Sequence, residues 1–255
     1  MLESLGRAFF PPLENAPVKS GEHAQWEFAK AAGSYQGYAD ALGGLDGKTV
    51  LDFGCGWGGE SAWLAEQAER VVGCDINDQA LEHALAFKQA KAINNLDFVR
   101  CGDKTIPLED QSFDAVFSTN VFEHVMQPTE MLREIHRVLK PGGAFVSSFG
   151  PLFYSPLGYH LSWASQVPYA HLLFGLGPVI EVRNTRRDPI QPDTWEQTGL
   201  NRITFNRFKR SVHEAGLAID RLERIPVRKL RLLASLPVVG NLLTFGIDCQ
   251  LRRPA

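Results

Sequence analysis

Between residues 49 and 149 the sequence alternates short apolar runs with segments of helical periodicity. The apolar runs, each typical of a buried strand, are Thr49 to Phe53, Arg70 to Asp75, Leu96 to Cys101, Phe113 to Ser118 and Ala144 to Phe149. Helices are predicted between them over Gly59 to Ala68, Asp78 to Ala92 and Pro128 to Leu139. Strands that alternate with helices favour right-handed crossovers and a parallel sheet covered on both faces. The sequence therefore predicts a doubly wound α/β fold.

The flanking segments are expected to complete one elaborated domain of 255 residues. Ser20 to Ala41 predicts a helix before the first strand, and the pattern resumes late with a helix at Phe205 to Ala215 and strands at Leu217 to Arg224 and Leu243 to Leu251. Pro151 to Ile203 has no clear repeat and is too long for a simple connection, so we expect an inserted lid after the fifth strand. The expected division is 1–46 helical, 47–150 core, 151–204 lid and 205–255 C-terminal helix and last strands.

Charge and cysteine usage exclude several classes of function. A formal net charge of -3 gives no basic footprint for a phosphate backbone, so nucleic acid is not an expected partner. The cysteines lie far apart and form no CxxC pair, which argues against a zinc knuckle or a disulfide framework. They are Cys55, Cys74, Cys101 and Cys249. Reduced, buried thiols in a cytoplasmic protein are the expectation.

Neither the start of the chain nor its apolar runs predict export or membrane insertion. MLESLGRAFFPPLENAP lacks the basic start, apolar core and cleavage site of a secretory signal. The longest uncharged apolar run, Leu232 to Ile247, is shorter than the ~20 residues of a spanning helix and contains Pro237 and Asn241. We expect a soluble protein.

The first strand runs into a glycine-rich turn, VLDFGCGWGGES at Val50 to Ser61. Glycines in such a turn permit close approach of a ligand to the backbone, or serve only to tighten the turn. A Walker phosphate loop is disfavoured because Gly58, Gly59 and Glu60 stand where GK[ST] is required. Asp75 at the end of the second strand also suits a dinucleotide fold, so the turn alone leaves the ligand open.

Further motifs follow the turn in a fixed order along the chain. The full set is VLDFGCGWG, GCDIN at Gly73 to Asn77, CGD at Cys101 to Asp103, LEDQSFDAVFSTNVFEHV at Leu108 to Val125 and LREIHRVLKPGG at Leu132 to Gly143. This order resembles the class I S-adenosylmethionine-dependent methyltransferases, in the broad small-molecule branch. The resemblance covers Thr49 to Phe149 well and Pro151 to Ile203 hardly at all. It implies a Rossmann-like, mostly parallel sheet of seven strands, with S-adenosylmethionine as cofactor.

The resemblance also implies roles for single residues around that cofactor. Asp75 would accept hydrogen bonds from both ribose hydroxyls, a task that suits an ionised carboxylate because it only accepts. Trp57 and Glu60 depart from the small residues common in the turn. The residues implied to bind cofactor are Asp52, Gly54, Cys55, Gly56 and Gly58 at the methionine, Asp75 at the ribose, Ile76, Gly102 and Asp103 at the adenine, and Asn120 and Val121 in the loop after the fourth strand.

Catalysis needs a base only where the acceptor carries a proton of high pKa, because methyl transfer depends mainly on alignment. The candidates are Glu123 and His124, then His160 and His171 in the lid. Each has a structural alternative, as a packing residue or as part of a pocket wall. No metal is expected, because nothing has metal-ligand spacing such as HExxH.

The acceptor is expected to be a small molecule, and oxygen is expected as the methylated atom in preference to nitrogen or carbon. A sugar, a lipid-linked precursor and a secondary metabolite are the classes considered. Lid aromatics predict either a water-poor pocket or a core for the insertion. They are Phe153, Tyr154, Tyr159, Trp163, Tyr169 and Phe174. Basic runs at Arg183 to Arg187 and Arg228 to Arg231 suit an anionic substrate, peripheral contact with a membrane or plain solvation. A non-catalytic cofactor-binding subunit and a dinucleotide-dependent oxidoreductase are the alternatives.

Overall fold

The computed structural model describes residues 20–160, 167–186, 194, 196–227, 236 and 239–255. The strands are β1 (Thr49–Phe53), β2 (Arg70–Asp75), β3 (Leu96–Arg100), β4 (Phe113–Thr119), β5 (Leu139–Phe149), β6 (Ala218–Pro226) and β7 (Thr244–Arg252). The helices are α1 (Ser20–Ser34), α2 (Gln36–Ala41), α3 (Gly59–Ala65), α4 (Asp78–Ala90), α5 (Pro128–Val138), α6 (Ala170–Leu173), α7 (Leu176–Arg186) and α8 (Phe205–Glu214). A short 3₁₀ turn spans Glu196–Thr198.

The strands form one seven-stranded sheet in the order β3-β2-β1-β4-β5-β7-β6. Strands β1 to β5 pair in parallel, and β7 runs antiparallel between β5 and β6. The strand order reverses beside β1, which places a crevice at the carboxyl ends of β1 and β4. The predicted doubly wound, mostly parallel sheet of seven strands is confirmed.

Both faces of the sheet are buried, because successive strand residues point to opposite sides. In β1, Val50 packs with Ala62 and Leu64 of α3, whereas Leu51 belongs to the core under α5 and α8. Both side chains are completely buried. The two cores fix the position of the strand ends, and therefore of any site built on them.

Two predicted elements differ from the structure by more than a shift of up to three residues at an end. The single helix expected over Ser20 to Ala41 is two helices that break at the buried Tyr35. Gly33 and Gly37, two residues of low helix propensity, flank this position in the sequence. The fifth strand begins at Leu139 instead of Ala144. Hydrogen bonds with the C-terminal segment, from Gly142 N–H to Arg253 O and from Arg253 N–H to Gly143 O, hold the Pro-Gly-Gly segment in the sheet.

The described part of the segment after β5 has a small core of its own. Phe153, Leu157 and Tyr159 pack there with residues of α6 and α7 and with Leu200. The aromatic residues Phe153 and Tyr159 thus contribute to packing, the second of the two roles considered for them. Trp163 lies outside the described residues.

Candidate active site

A cavity of about 460 Å³ opens at the carboxyl ends of β1, β2 and β4. Its position is the one expected for a ligand in an open α/β sheet. The residues around it are Phe53, Gly54, Asp75, Ile76, Asn77, Cys101, Gly102, Asp103, Asn120, Val121, His124, Val125, Met126, Gln127 and Met131. Seven of the predicted cofactor residues therefore meet in one place: Gly54, Asp75, Ile76, Gly102, Asp103, Asn120 and Val121.

The turn after β1 is shaped by glycines in the left-handed region. The N–H groups of Gly54 and Cys55 both donate to the carbonyl of Cys74, at 2.8 and 3.0 Å. Gly54 has φ of +79°, and a Cβ there would lie 2.3 Å from Cγ2 of Val121. Only glycine therefore lets the loop after β4 close over the loop after β1.

Asp75, the last residue of β2, is held by two backbone donors. Its Oδ2 accepts from Gly56 N–H at 2.9 Å, and its Oδ1 accepts from Asn77 N–H at 2.8 Å. Asn77 in turn caps α4, because its side chain accepts from Ala80 N–H. Each carboxylate oxygen keeps further acceptor capacity, and the side chain borders the cavity. A ligand with neighbouring donor groups, such as a diol, suits this arrangement.

The far end of the cavity combines an apolar side chain with a tight polar turn. Ile76 is 52% exposed, which is unusual for an isoleucine beside a cavity and leaves it free to cover a planar ring. Gly102 donates its N–H to Thr105 O at 2.9 Å, and its Cβ would lie 2.8 Å from Thr105 Oγ1. Asp103 follows at the cavity wall.

The other four predicted cofactor residues lie behind the cavity wall. Asp52 is 1% exposed and accepts a hydrogen bond from Ser61 Oγ at 2.5 Å. Burial, with the nearby Glu60 carboxylate, raises the pKa of Asp52 to about 8. The Cys55 side chain is buried, and Gly56 orients Asp75 through its N–H. Gly58 starts α3, where a Cβ would clash with Ala84 and Phe98.

Two glutamates that sequence reasoning did not assign to the site brace the turn. Glu27 of α1 accepts from Gly59 N–H at 3.2 Å through Oε2 and lies 3.1 Å from His23 through Oε1. Glu60 accepts from Thr119 Oγ1 at the end of β4. Burial raises the pKa of Glu27 to about 8 and that of Glu60 to about 7. In the sequence, Glu60 was notable only because it departs from the small residues common in such a turn, and no sequence pattern pointed to Glu27 as a residue of the site.

The loop after β4 brings Asn120, Val121 and His124 to the cavity. Asn120 has φ of +53°, and its N–H donates to Ser148 O at 2.9 Å. The Nδ1 atom of His124 lies 2.9 Å from Gly199 O, which requires the proton on Nδ1 and leaves Nε2 as an acceptor. Partial removal of the ring from water lowers the pKa of His124, although the side chain remains exposed, and this favours the neutral form.

Glu123 points away from the cavity into the protein. It is 3% exposed, and its Oε1 accepts from Gly150 N–H at 3.3 Å. Its Oε2 has no hydrogen-bond partner among the described residues. Burial raises the pKa of Glu123 to about 8, so the side chain is mostly protonated near neutral pH.

The two candidate histidines of the lid bind backbone carbonyls. Nε2 of His160 lies 2.7 Å from Pro151 O, and Nε2 of His171 lies 2.5 Å from Phe153 O. Burial lowers the pKa of His160 to about 4 and lowers that of His171. His160 meets His124 edge to face, with ring centroids 5.4 Å apart, but neither lid histidine borders the cavity.

The remaining predictions fall partly outside the structure. Of the two basic runs, Arg228 to Arg231 lies outside the described residues. The run from Arg183 to Arg187 is described only for the backbone of its first four residues, which belong to α7. Every helix in the described part of the chain is too short or too polar to span a membrane. Among the residues with a described position, no group of three histidine, cysteine or acidic side chains could hold a metal ion.

Comparison with known proteins identifies the fold. Residues 51–147 match the family model of a methyltransferase domain. Sterol 24-C-methyltransferase of Pneumocystis carinii is 31% identical over 123 residues, 47% of this chain and 33% of that protein. Ubiquinone biosynthesis O-methyltransferase of Alkalilimnicola ehrlichii is 33% identical over 125 residues, 48% of each chain. This chain thus spans half or less of the curated relatives' length.

A solved S-adenosylmethionine-dependent methyltransferase of Mesorhizobium loti superposes with a TM-score of 0.56, at 21% identity, over 84% of this chain and 96% of that chain. The cofactor of such proteins suits the cavity, where two backbone N–H groups hold a carboxylate, an exposed isoleucine lies beside it and a glycine of the turn after β1 borders the space. The fold is that of the class I S-adenosylmethionine-dependent methyltransferases, and the segment from residue 51 to residue 147 matches the model of a methyltransferase domain.

Proposed function

We propose that the protein transfers a methyl group from S-adenosylmethionine to an oxygen atom of a small molecule. The observation that carries the proposal is the Asp75 carboxylate, fixed by the N–H groups of Gly56 and Asn77 and open to the cavity. It sits beside the exposed Ile76. A fixed carboxylate that accepts hydrogen bonds, next to an apolar side chain, is suited to bind the hydroxyls of a ribose and one face of the base attached to it.

The proposed cofactor contacts follow the shape of the cavity. Asp75 binds the ribose hydroxyls, Ile76 covers one face of the adenine, and Asp103 with Gly102 lies at the adenine edge. Gly54, Asn120 and Val121 lie along the methionine portion. Asp52, Cys55, Gly56 and Gly58 act indirectly, through the shape of the turn.

The cofactor supplies an electrophilic methyl group on a sulfonium, and the chain supplies position and proton acceptance. Of the four candidate catalytic residues, we assign the base role to His124. Its Nδ1 proton is directed to Gly199 O, so Nε2 keeps a lone pair, and the residue borders the cavity. His160 packs against the His124 ring and is assigned a positioning role.

Glu123 and His171 are assigned structural roles. The Glu123 carboxyl binds Gly150 N–H, where β5 leaves the sheet. His171 lies in the small core after β5 and binds a carbonyl there. Neither residue borders the cavity.

The acceptor and its compartment are inferred from the chemistry around the site. Cys55, Cys74, Cys101 and Cys249 are all free and buried, which suits a reducing compartment such as the cytoplasm. A sugar, a lipid-linked precursor and a secondary metabolite are the acceptor classes that we propose to test. The names of the two relatives mention a sterol and ubiquinone biosynthesis, but this chain matches less than half of either protein, so they set no preference among these classes.

Calorimetric titration of the whole chain with S-adenosylhomocysteine and with NAD tests the cofactor assignment. We expect S-adenosylhomocysteine to bind at least about 100 times more tightly than NAD, because the described residues that line the cavity include no lysine or arginine to pair with a pyrophosphate. Preference for NAD would contradict the proposal and favour an oxidoreductase. Transfer of radiolabelled methyl groups to a panel of hydroxylated acceptors then tests the reaction, and cofactor binding without transfer to any acceptor would favour a non-catalytic subunit.

A further inference from the structure

Glu27 reaches the glycine-rich turn from α1, a helix outside the segment 51–147 that matches the family model. Its side chain is 17% exposed. Oε2 accepts a hydrogen bond from Gly59 N–H at 3.2 Å, and Oε1 lies 3.1 Å from Nε2 of His23. Since each carboxylate oxygen can accept more than one hydrogen bond, both oxygens keep acceptor capacity. The helix therefore brings to the turn an acceptor that the protein itself uses only in part.

The space over Gly56 is the part of the turn that Glu27 borders. A Cβ added at Gly54, Gly58 or Gly59 would come within 2.8 Å of another part of the chain, so packing explains why those three residues are glycines. At Gly56, apart from its neighbours in the sequence, the only atom of the described residues within 4 Å of such a Cβ is Oε1 of Glu27, at 3.5 Å. The protein's own packing thus leaves this space open, with a carboxylate oxygen at its edge.

The space over Gly56 adjoins the candidate active site. Gly56 donates its N–H to Oδ2 of Asp75, the carboxylate that borders the cavity. Gly54, two residues earlier in the turn, borders the cavity as well. With the ribose proposed at Asp75 and the methionine portion proposed at Gly54, the next position along the turn is the space between Gly56 and Glu27.

The charges around Glu27 are mainly acidic. Charged or titratable groups of four elements act on it: His23 and Lys30 of α1, Asp52 of β1, Glu60 of α3 and Asp75 of β2. Three of these five groups are carboxyls. The Lys30 ammonium lies over the Trp26 ring, 4.9 Å from its centroid, and His23 is charged only when it is protonated. On the side of α4, His83 stacks on the Trp57 ring. A cation is the kind of ligand group that this environment favours.

A primary ammonium group suits the space better than a metal ion or an anion does. Within the described part of the chain, no group of three histidine, cysteine or acidic side chains could hold a metal ion. An anion would meet the carboxyl groups of Glu27, Asp52 and Glu60. An ammonium group carries three N–H donors, and hydrogen bonds from a charged donor to a carboxylate are strong.

We propose that Glu27 binds the α-ammonium group of the methionine portion of S-adenosylmethionine. The inference rests on the proposed function, because it requires that cofactor in the cavity. It extends the cofactor site to the N-terminal helix. It also gives Gly56 a second role besides holding Asp75, since a side chain at Gly56 would fill the space that the ammonium group occupies.

The pKa of Glu27 gives this contact a pH dependence. Burial, with the nearby Asp52 carboxylate, raises that pKa to about 8. An ammonium group beside the carboxyl favours its ionised form, so the pKa falls and a proton leaves when the ligand binds. The affinity for a ligand that carries the ammonium group should therefore rise between about pH 6 and about pH 8.

Titration calorimetry of the whole chain with three ligands tests the inference. S-adenosylhomocysteine carries both the amino group and the carboxylate of the amino acid. Its decarboxylated analogue keeps the amino group alone, and its deaminated analogue keeps the carboxylate alone. On wild type, the affinity for the two amines should rise about fivefold or more from about pH 6 to about pH 8, while that for the deaminated analogue should not rise. A flat profile for the amines would overturn the proposal without any variant.

Glu27→Gln removes the charge but keeps an oxygen that can accept from Gly59 N–H. At about pH 8 it should bind the two amines at least about tenfold more weakly than wild type, and the deaminated analogue no more than about twofold more weakly. Glu22→Gln is the matched control, because Glu22 is an exposed glutamate in the first turn of the same helix. It should bind all three ligands within about twofold of wild type.

Proton release gives a second measurement. Calorimetry with S-adenosylhomocysteine at about pH 7, in two buffers of different ionisation enthalpy, counts the protons that leave on binding. Wild type should release at least about 0.4 proton more than Glu27→Gln, which corresponds to a pKa change of about one unit in the bound state. Equal release by the two proteins would overturn the proposal.

The pattern of losses separates the inference from its alternatives, once circular dichroism has established that each variant folds. Equal losses for all three ligands in Glu27→Gln would overturn the proposal, because Glu27 would then only brace the turn. A loss confined to the ligands with a carboxylate would also overturn it, since the carboxylate end would then lie at Glu27. If wild type binds none of the ligands, the proposed function itself fails. Full affinity for S-adenosylhomocysteine in Glu27→Gln contradicts the inference alone.

Discussion

The sheet edge at the carboxyl ends of β1 and β2 and the segment after β5 both hold polar side chains in fixed positions, but the hydrogen bonds of the two regions have opposite consequences. At the sheet edge, backbone N–H groups hold the Asp75 carboxylate and leave it able to accept more hydrogen bonds. After β5, His160 and His171 direct ring nitrogens to backbone carbonyls away from the cavity. The difference teaches that a polar residue near a site can bind a ligand only if the hydrogen bonds within the fold leave it a donor or acceptor that faces the cavity.

Glu123 lies between these two regions and gives the largest expected effect. Its carboxyl ionises near 4.5 in the ordinary state and near 8 in the fold. Between these pH values the folded chain keeps a proton that the unfolded chain has lost, so the free energy of unfolding falls as pH rises. Glu123→Gln cannot ionise and should lack this component. Between about pH 5 and about pH 8, wild type should lose on the order of 3 kcal/mol more stability than the variant.

Urea unfolding of both proteins at the two pH values measures this difference. Glu130→Gln is the control, because Glu130 is a half-exposed glutamate of α5 that pairs with Arg133. It should lose stability with pH as wild type does. Parallel pH dependence in wild type and Glu123→Gln would show that the Glu123 carboxyl is ionised in the fold.

Gly54→Ala tests whether the sheet edge depends on the close approach of the two loops. Alanine would have to adopt φ of +79° and place its Cβ 2.3 Å from Val121 Cγ2, so Val121 would move into the cavity. We expect the affinity for S-adenosylhomocysteine to fall by about 100-fold, or ~3 kcal/mol. Titration calorimetry measures it.

Gly142→Ala is the matched control for the same backbone strain. Gly142 has φ of +78°, and a Cβ added there would have no neighbouring atom within 4 Å. It should lose stability by about 1 to 2 kcal/mol and keep its ligand affinity. Equal affinity losses in the two variants would mean that strain, and not the contact with Val121, determines binding.

Asp75→Asn tests the carboxylate itself with little change of shape. One oxygen can still accept from Gly56 N–H, but the charge and the second acceptor are lost. The affinity for S-adenosylhomocysteine should fall by about 10- to 30-fold, the scale of a lost charged hydrogen bond. Asp78→Asn, on an exposed aspartate that pairs with Arg100, should change it by less than about twofold. Unchanged affinity in a folded Asp75→Asn variant would refute the ribose assignment.

The sheet edge was largely predictable from the sequence because its signals are local. An apolar run followed by a glycine or an acid marks both the strand and its end, so β1 and β2 begin and end where predicted. The predicted start of β5 was wrong because the sequence from Pro141 to Gly143 is typical of a turn, whereas hydrogen bonds with Arg253 hold this segment in the sheet. Such contacts depend on residues more than 100 positions away and leave no local pattern.

The same limit applies to the site. Glu27 braces the glycine turn from a helix that precedes the sheet, and only the packing of α1 on α3 brings it to Gly59. For the lid histidines, His160 and His171, the sequence suggested a role in the site that their contacts do not support. Their residue type suggested catalysis, but the carbonyls that they bind could be identified only from the folded chain.

His171→Leu gives the smallest expected effect on ligand binding. Leucine keeps much of the volume but cannot donate to Phe153 O, which would lose the buried donor at 2.5 Å. The free energy of unfolding should fall by about 1 to 2 kcal/mol, while the affinity for S-adenosylhomocysteine changes by less than about twofold. Urea unfolding and calorimetry on the same preparation measure the two quantities. His213→Leu, at an exposed histidine in the last turn of α8, is the control and should change neither. A loss of affinity without a loss of stability would place His171 at the ligand, and the contrast between the sheet edge and the segment after β5 would then fail.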